Sequence, residues 1–161
     1  MSFLDNLCLV KSQDKKSAIE EIIYNCHAFR ALKDINRFEK AVLLREKIGS
    51  TEIGHGVVVT HGKVIGVKHT YAGLGISREG VLWPSGNKIH FIFVFASNPI
   101  RYDLYVRKIS AILCLFHCPE LREELLALKD DFFDLTFEQI TSRRKELDEK
   151  LVKLMEYLND D

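Results

Sequence analysis

Residues 45–63, REKIGSTEIGHGVVVTHGK, place the tightest condition on what this chain can fold into. The run Val57-Val58-Val59 is stiff at χ1 and is satisfied by a half-buried strand. The glycines on either side set its limits. Gly49 can take the left-handed conformation that closes a helix near Glu46-Lys47, and Ser50-Thr51 begin a turn. Gly54-His55-Gly56 is a flexible corner. The strand then runs through Thr60 and ends on His61, which Gly62 follows at once. A glycine there lets a partner approach the backbone closely and offers its N–H to an anion. A neutral imidazole in such a place suits a nucleophile or phosphoryl acceptor, although a histidine at an arbitrary position is more often a surface or core residue. His55 and His61 share a parity, but six residues at about 3.3 Å each separate them by roughly 20 Å. They cannot share a metal unless the glycines fold the strand back.

The whole composition bounds the remainder. With 161 residues and 47% hydrophobic content, the chain can bury a substantial core as one domain plus an appended element. Lys and Arg number 23, as do Asp and Glu, so no basic excess points to nucleic acid. The start, MSFLDNLCLVKSQDKK, does not read as a secretory signal, and no 18-residue apolar run is present. A cytoplasmic protein without membrane insertion is expected. Cys8 and Cys26 are isolated, and Cys114 and Cys118 flank His117 in CLFHC. That spacing lacks the CxxC pairs of a zinc site, so four buried, reduced thiols are expected, with no metal and no cofactor.

Periodicity places the elements. Residues 3–10 read as a short apolar strand or extended segment. Ser12-Gln13-Asp14 cap a helix through KKSAIEEIIYNCHAFRAL, with Ala18, Ile19, Ile22, Ile23, Cys26 and Phe29 facing the core. A second helix, about 36–47, puts Phe38, Val42 and Leu43 on one side and ends at Arg45. From His55 to Ala96 the period becomes that of strands: HGVVVTH, KHTYAGLGIS, GVLWP and KIHFIFVFA, with Gly80 and PSGN as turns. The last is apolar almost throughout and is expected at the centre of the sheet. Trp83 reads as an edge aromatic that packs. Pro99 opens a helix with a stripe of Leu104, Ile109, Ile112, Leu113 and Phe116, and Pro119 opens a shorter one. Thr136 caps a final helix in which Ile140, Leu147, Leu151, Leu154 and Leu158 form a heptad-like stripe. This stripe either docks on the domain or makes a homodimer. The fold class is therefore α/β, a mixed β-sheet covered by helices on both faces, with an extra C-terminal amphipathic helix.

REKIGSTEIGHGVVVTHGKVIGVKH resembles the active-site segment of enzyme IIA domains of the fructose, mannitol and nitrogen-type phosphotransferase system. Those domains carry an arginine-glutamate pair at a helix end, a Ser-Thr turn, a glycine-x-glycine corner, an aliphatic strand and a phosphorylated His-Gly. The matching residues here are Arg45-Glu46, Ser50-Thr51, Gly54 and Gly56, Val57 to Val59, and His61-Gly62. The similarity continues through YAGLGISREGVLWPSGNKIHFIFVFAS and implies an enzyme IIA-like domain over 1–140 with a helical extension over 141–161. Two residues depart from the pattern. Thr60 stands where the family usually has proline, which loosens the approach and adds a hydroxyl. The histidine that the family commonly presents at the start of the following long helix is absent, and Asp103 in NPIRYDLYVRKIS takes that place.

The resemblance implies that His61 accepts a phosphoryl group from an HPr-type phosphocarrier, for relay to an enzyme IIB or for regulation of a target protein. It also implies that Arg45, Thr51, Gly62 and Asp103 support the group. Spacing alone leaves Arg45 equally suited to capping helical carbonyls. A carboxylate at Asp103 could orient His61, but would repel a phosphoryl group unless an arginine balances it. The alternative is a degenerate regulatory or interaction domain of the nitrogen type that keeps the fold without transfer.

Overall fold

A computed structural model describes residues 6–128, 130 and 149–159. Its elements in order are β1 (Leu7–Leu9), α1 (Lys15–Asn25), a 3-10 turn (His27–Ala31), α2 (Ile35–Ile48), β2 (Glu52–Gly54), β3 (Val57–Lys63), β4 (Tyr71–Leu82), β5 (Lys88–Ser97), α3 (Tyr102–Phe116), α4 (Pro119–Leu126) and α5 (Glu149–Asn159). The strands lie in the order β1-β4-β5-β3-β2. The β4/β5 and β2/β3 pairs are antiparallel, and the β1/β4 and β3/β5 pairs are parallel. The sheet is thus mixed, and β5 lies at its middle, as its unbroken apolar run requires.

Alternation along β3 and β5 divides the core in two. Val57, Val59, Phe91, Phe93 and Phe95 face α3, α4 and α5, where Ile112, Phe116 and Leu158 meet them. Val58, Ile92, Val94 and Ala96 face α1 and α2, against Ile22, Phe29, Phe38 and Val42. Edge-on stacking of Phe91 and Phe93 on Phe116, at 5.2 and 5.1 Å, seats α3 on the first face. Asp14 caps α1 by accepting from the Ser17 N–H at 3.0 Å, as its place in the cap cluster predicts.

Several local expectations shift. The first helix stops at Asn25, and Cys26 turns the chain into the 3-10 segment. The two strands expected on either side of Gly80 are one, β4: Gly80 takes φ 83° and donates its N–H to the Ser77 hydroxyl, so it makes a bulge, not a turn. Pro99 lies in the turn before α3, which begins at Tyr102, because the Asn98 side chain holds the Ile100 N–H at 2.9 Å. The buried stripe of α3 is Tyr105, Lys108, Ile112 and Phe116, while Leu113 is 43% exposed. The same rotation exposes Cys114, so of the four thiols only Cys8 and Cys26 are buried. Trp83 is buried, with the Lys15 ammonium 5.3 Å above its ring.

Leu154 and Leu158 of the C-terminal stripe turn inward. Val152, Leu154 and Leu158 are buried in the α3 face of the core, Lys108 donates to the Leu158 carbonyl at 2.9 Å, and Asn159 accepts from the Ala72 N–H at 3.0 Å. Docking is therefore what this helix does with its apolar face. Thr136, Ile140, Leu147 and the expected boundary at 140/141 lie outside the described residues.

Candidate functional site

His61 sits near the end of β3, at an edge that β2 leaves open. β2 pairs no further along β3 than Val58, and one more bond, from Val59 N–H to the Thr51 carbonyl at 3.0 Å, ends the contact. Because N–H directions alternate and Val64 donates to Ser97 of β5, even-numbered residues of β3 turn toward β5. The backbone groups of His61 and Lys63 therefore face outward at the free edge. Side chains alternate in the other sense: Thr60 and Gly62 face α2, and the His61 ring faces α3.

On that face the ring meets Tyr105. The Nδ1 of His61 and the Tyr105 hydroxyl are 2.9 Å apart, with ring centroids at 4.7 Å. Tyr105 is itself 2% exposed and packs edge-on against Phe95 at 5.3 Å, so its hydroxyl is held from below. One imidazole nitrogen is thus engaged and Nε2 is left for the groove. Burial first, then the positive charges of Arg45 and Lys63, against a smaller opposite effect of Glu46, lower the His61 pKa from 6.5 to about 4. The ring is neutral at neutral pH. Burial pushes the Tyr105 phenol up, so it stays protonated.

The groove beside His61 has a volume of about 550 Å³ and is bounded by Leu44, Arg45 and Ile48 of α2, Lys63 of β3 and Tyr102 of α3. Its rim is apolar and open: Leu44 is 60% exposed, Ile48 75% and Tyr102 51%. Two cations thus stand in a water-exposed apolar ring around a neutral imidazole, an arrangement suited to an anionic group delivered by another surface.

The expected supporting residues separate. Arg45 lines the groove, and its Nη1 also donates to the Gly49 carbonyl at 3.1 Å, so it caps α2 and charges the site at once. Thr51 is buried, and its hydroxyl donates to Glu46 Oε1 at 2.5 Å. Glu46 is ion-paired with Lys15 at 3.2 Å, so Thr51 fastens the end of α2 to α1 and β3 and reaches no groove atom that the structure describes. Gly62 does not offer an open approach: it is buried, and a Cβ there would lie 2.8 Å from Phe38 and 2.9 Å from Val42. Its N–H points into the sheet. The absence of a side chain lets α2 close on β3. Asp103 is exposed in the first turn of α3, and none of its described contacts is with His61. Thr60 is fully buried, its hydroxyl without a hydrogen-bond partner among the described residues.

Tyr105 and Lys63 were not singled out by the sequence. For Tyr105 a signal existed: it precedes Ile112 and Phe116 by seven and eleven residues, on the same helical face. His55 is at the other end of β3, at φ 54° between two left-handed glycines, with its Nε2 3.1 Å from Nδ1 of His117. It takes no part in the His61 groove. Among the described residues, no three His, Cys, Asp or Glu side chains converge to hold a metal.

Known proteins resemble this chain in sequence and in fold. Residues 4–137 match the family described as phosphoenolpyruvate-dependent sugar phosphotransferase system, EIIA 2. The PTS system fructose-specific EIIABC component of Bacillus subtilis (strain 168) is 27% identical over 124 residues, covering 76% of this chain and 20% of that protein. The chain thus spans about a fifth of that relative's length. The nitrogen regulatory protein IIA-Ntr of Neisseria meningitidis superimposes with a TM-score of 0.66 at 24% identity, over 86% of this chain and 92% of that one. The complex of enzyme IIA-mannitol and phosphorylated enzyme IIB-mannitol of Escherichia coli contains a chain that superimposes with a TM-score of 0.60 at 16% identity, over 94% of each chain. At these identities the two structures speak for the fold. With the family match extending over most of its length and the mixed sheet in agreement, the chain belongs to the EIIA type-2 family of the phosphotransferase system.

Proposed function

We propose that His61 accepts a phosphoryl group from an HPr-type phosphocarrier and passes it to an enzyme IIB partner in the cytoplasm. The observation that carries this is the bond between His61 Nδ1 and the Tyr105 hydroxyl, which leaves Nε2 facing a cationic groove. For Nε2 to act as nucleophile it must hold a lone pair, so Nδ1 carries the proton and donates to the tyrosine oxygen. The Nε2 pair attacks phosphorus on the donor's phosphohistidine, the new N–P bond forms, and the donor's N–P electrons return to its ring. Nδ1 keeps its proton throughout. Arg45 and Lys63 offset the charge on the transferring oxygens, and the outward N–H groups of His61 and Lys63 supply donors at the open edge. Tyr105 and the two cations together take up the work that the family's second histidine does elsewhere. Asp103, exposed at the start of α3, would act on the partner's surface and not on the ring. The apolar rim of Leu44, Ile48 and Tyr102 is where the protein partners would seat.

The enzyme IIB partner is supported by the mannitol relative, whose structure is a complex with phosphorylated IIB. A second reading, regulation of a target protein by the phosphorylated and free states, is favoured by the likeness to the nitrogen regulatory IIA protein. The test is transfer of labelled phosphoryl from phospho-HPr to the wild type, His61→Ala and His55→Ala. Label that disappears only in His61→Ala supports acceptance. Absence of label from every carrier would leave the partner-binding module.

A further inference from the structure

Cationic and anionic residues are equal in number, 23 of each, yet the cations are not evenly placed. A cavity of about 830 Å³ lies between the start of α2, the loop from β3 to β4, and Pro99, and Lys33, Arg37, Lys63 and Lys68 line it. These come from two separate stretches of the chain, 33–37 and 63–68. None of the four forms an ion pair among the described residues, whereas Lys15, Lys16, Arg78 and Lys153 all do. Among the described lining residues Asp34 is the one carboxylate, and its Oδ1 is occupied as the cap of α2, accepting from the Arg37 N–H at 2.9 Å. Four cations less one carboxylate leave a formal +3 around one cavity.

All four cations are exposed, so water screens their mutual repulsion, and an anion that enters the cavity meets a positive field from several sides. The cavity is within the size range of small-molecule sites and well beyond what one inorganic phosphate fills. Val67, Tyr71 and Pro99 give it an apolar wall on which a ring can lie. Lys63 belongs to this cavity and also to the His61 groove.

We propose that this cavity binds a nucleoside phosphate, its phosphates on Lys33, Arg37 and Lys68 and its ring against the apolar wall, and that the bound anion restrains phosphoryl acceptance at His61 through Lys63. An anion beside Lys63 cancels one of the two positive charges that meet the incoming phosphoryl group. Because equilibrium coupling is reciprocal, phosphorylated His61 weakens nucleotide binding by the factor by which bound nucleotide disfavours the phosphorylated state at equilibrium. The restraint rests on the phosphoacceptor role of His61; the binding does not.

The experiment is calorimetric titration of the full chain with magnesium-free ATP and, separately, inorganic phosphate at low ionic strength. ATP binds saturably and more tightly than phosphate. The triple variant Lys33→Gln/Arg37→Gln/Lys68→Gln, checked for an unchanged thermal midpoint, weakens ATP binding by at least about tenfold, since each charged contact contributes on that scale. Saturating ATP slows labelling of the wild type from phospho-HPr several-fold and leaves labelling of the triple variant unchanged. Lack of saturable ATP binding at millimolar concentration, or equal binding by the triple variant, would overturn the site. ATP binding beside a His61 that no carrier labels would support the cavity and overturn the coupling and the phosphoacceptor role.

Discussion

Replacing Tyr105 by Phe isolates the step on which acceptance at Nε2 depends. The hydroxyl lies 2.9 Å from His61 Nδ1, and the ring beneath it packs on Phe95 at 5.3 Å and near Tyr102 at 5.6 Å. Phenylalanine retains both packing contacts and removes the oxygen alone. A half-buried Nδ1–H then loses its acceptor, at about 1–2 kcal/mol. Where the hydroxyl accepts from Nδ1–H, that loss falls on the tautomer with the proton at Nδ1, and the fraction of rings with a free Nε2 pair drops by at most roughly 5- to 30-fold. The rate of labelling from phospho-HPr should fall by the same factor. Nitrogen-15 NMR of the ring should show the proton moving to Nε2, while the melting temperature changes by no more than about 8 °C. A Tyr105→Phe protein that labels at the wild-type rate, with its tautomer unchanged, would refute the argument.

The depressed His61 pKa makes a second prediction. Above pH 6.5 the ring is neutral folded and unfolded; between 6.5 and about 4 only the unfolded chain takes the proton, so stability falls as pH falls through that window and the loss is complete below it. The full shift corresponds to about 3 kcal/mol, and solvent screening of a half-buried ring reduces it to about 1–2 kcal/mol; urea midpoints at pH 7 and 4.5 for wild type and His61→Asn measure it as a difference that the variant lacks. Labelling should not decline between pH 8 and 5 through any protonation of His61. Gly62→Ala places a methyl against Phe38 and Val42 at under 3 Å and should destabilise by about 1–3 kcal/mol in chemical denaturation; an unchanged midpoint would mean that α2 does not close on β3 there. Lys108→Met removes the buried ammonium that holds the Leu158 carbonyl and should speed proteolysis within α5 without changing the initial rate of His61 labelling.

Much of the fold was legible locally. The Val57–Val59 run and Ile89–Ala96 have side chains that suit only a strand, and the latter has apolar residues on both faces, so its central place followed. The Asp14 cap of α1 and the proline that opens α4 at Pro119 depend on neighbours within four residues. Errors arose where a local signal has two outcomes. Gly80 permits a positive φ in a turn or in a bulge, and only the pairing of β4 with β5 on both sides of it selects the bulge. Leu113 and Tyr105 compete for the buried side of α3, and the contact with Phe91, Phe93 and Phe95 chooses the stripe through Tyr105.

What the sequence by itself determined is the histidine at the end of a stiff strand, the cation at the preceding helix end and the family pattern that joins them, because all of these rest on residues close together in the chain. Tertiary structure decided what each does. Parity sends Gly62 toward Phe38 and His61 toward Tyr105, so the glycine makes room for a helix and the tyrosine, 44 positions away, holds the ring. At the end of α2 the hydrogen bond from the Thr51 hydroxyl holds Glu46 inward, and Arg45 beside it lines the groove. Whether the final helix docks or pairs was likewise undecided by its stripe, since an apolar face accepts any complementary one; the pocket between α3 and β4, with Lys108 ready for its last carbonyl, decided for docking.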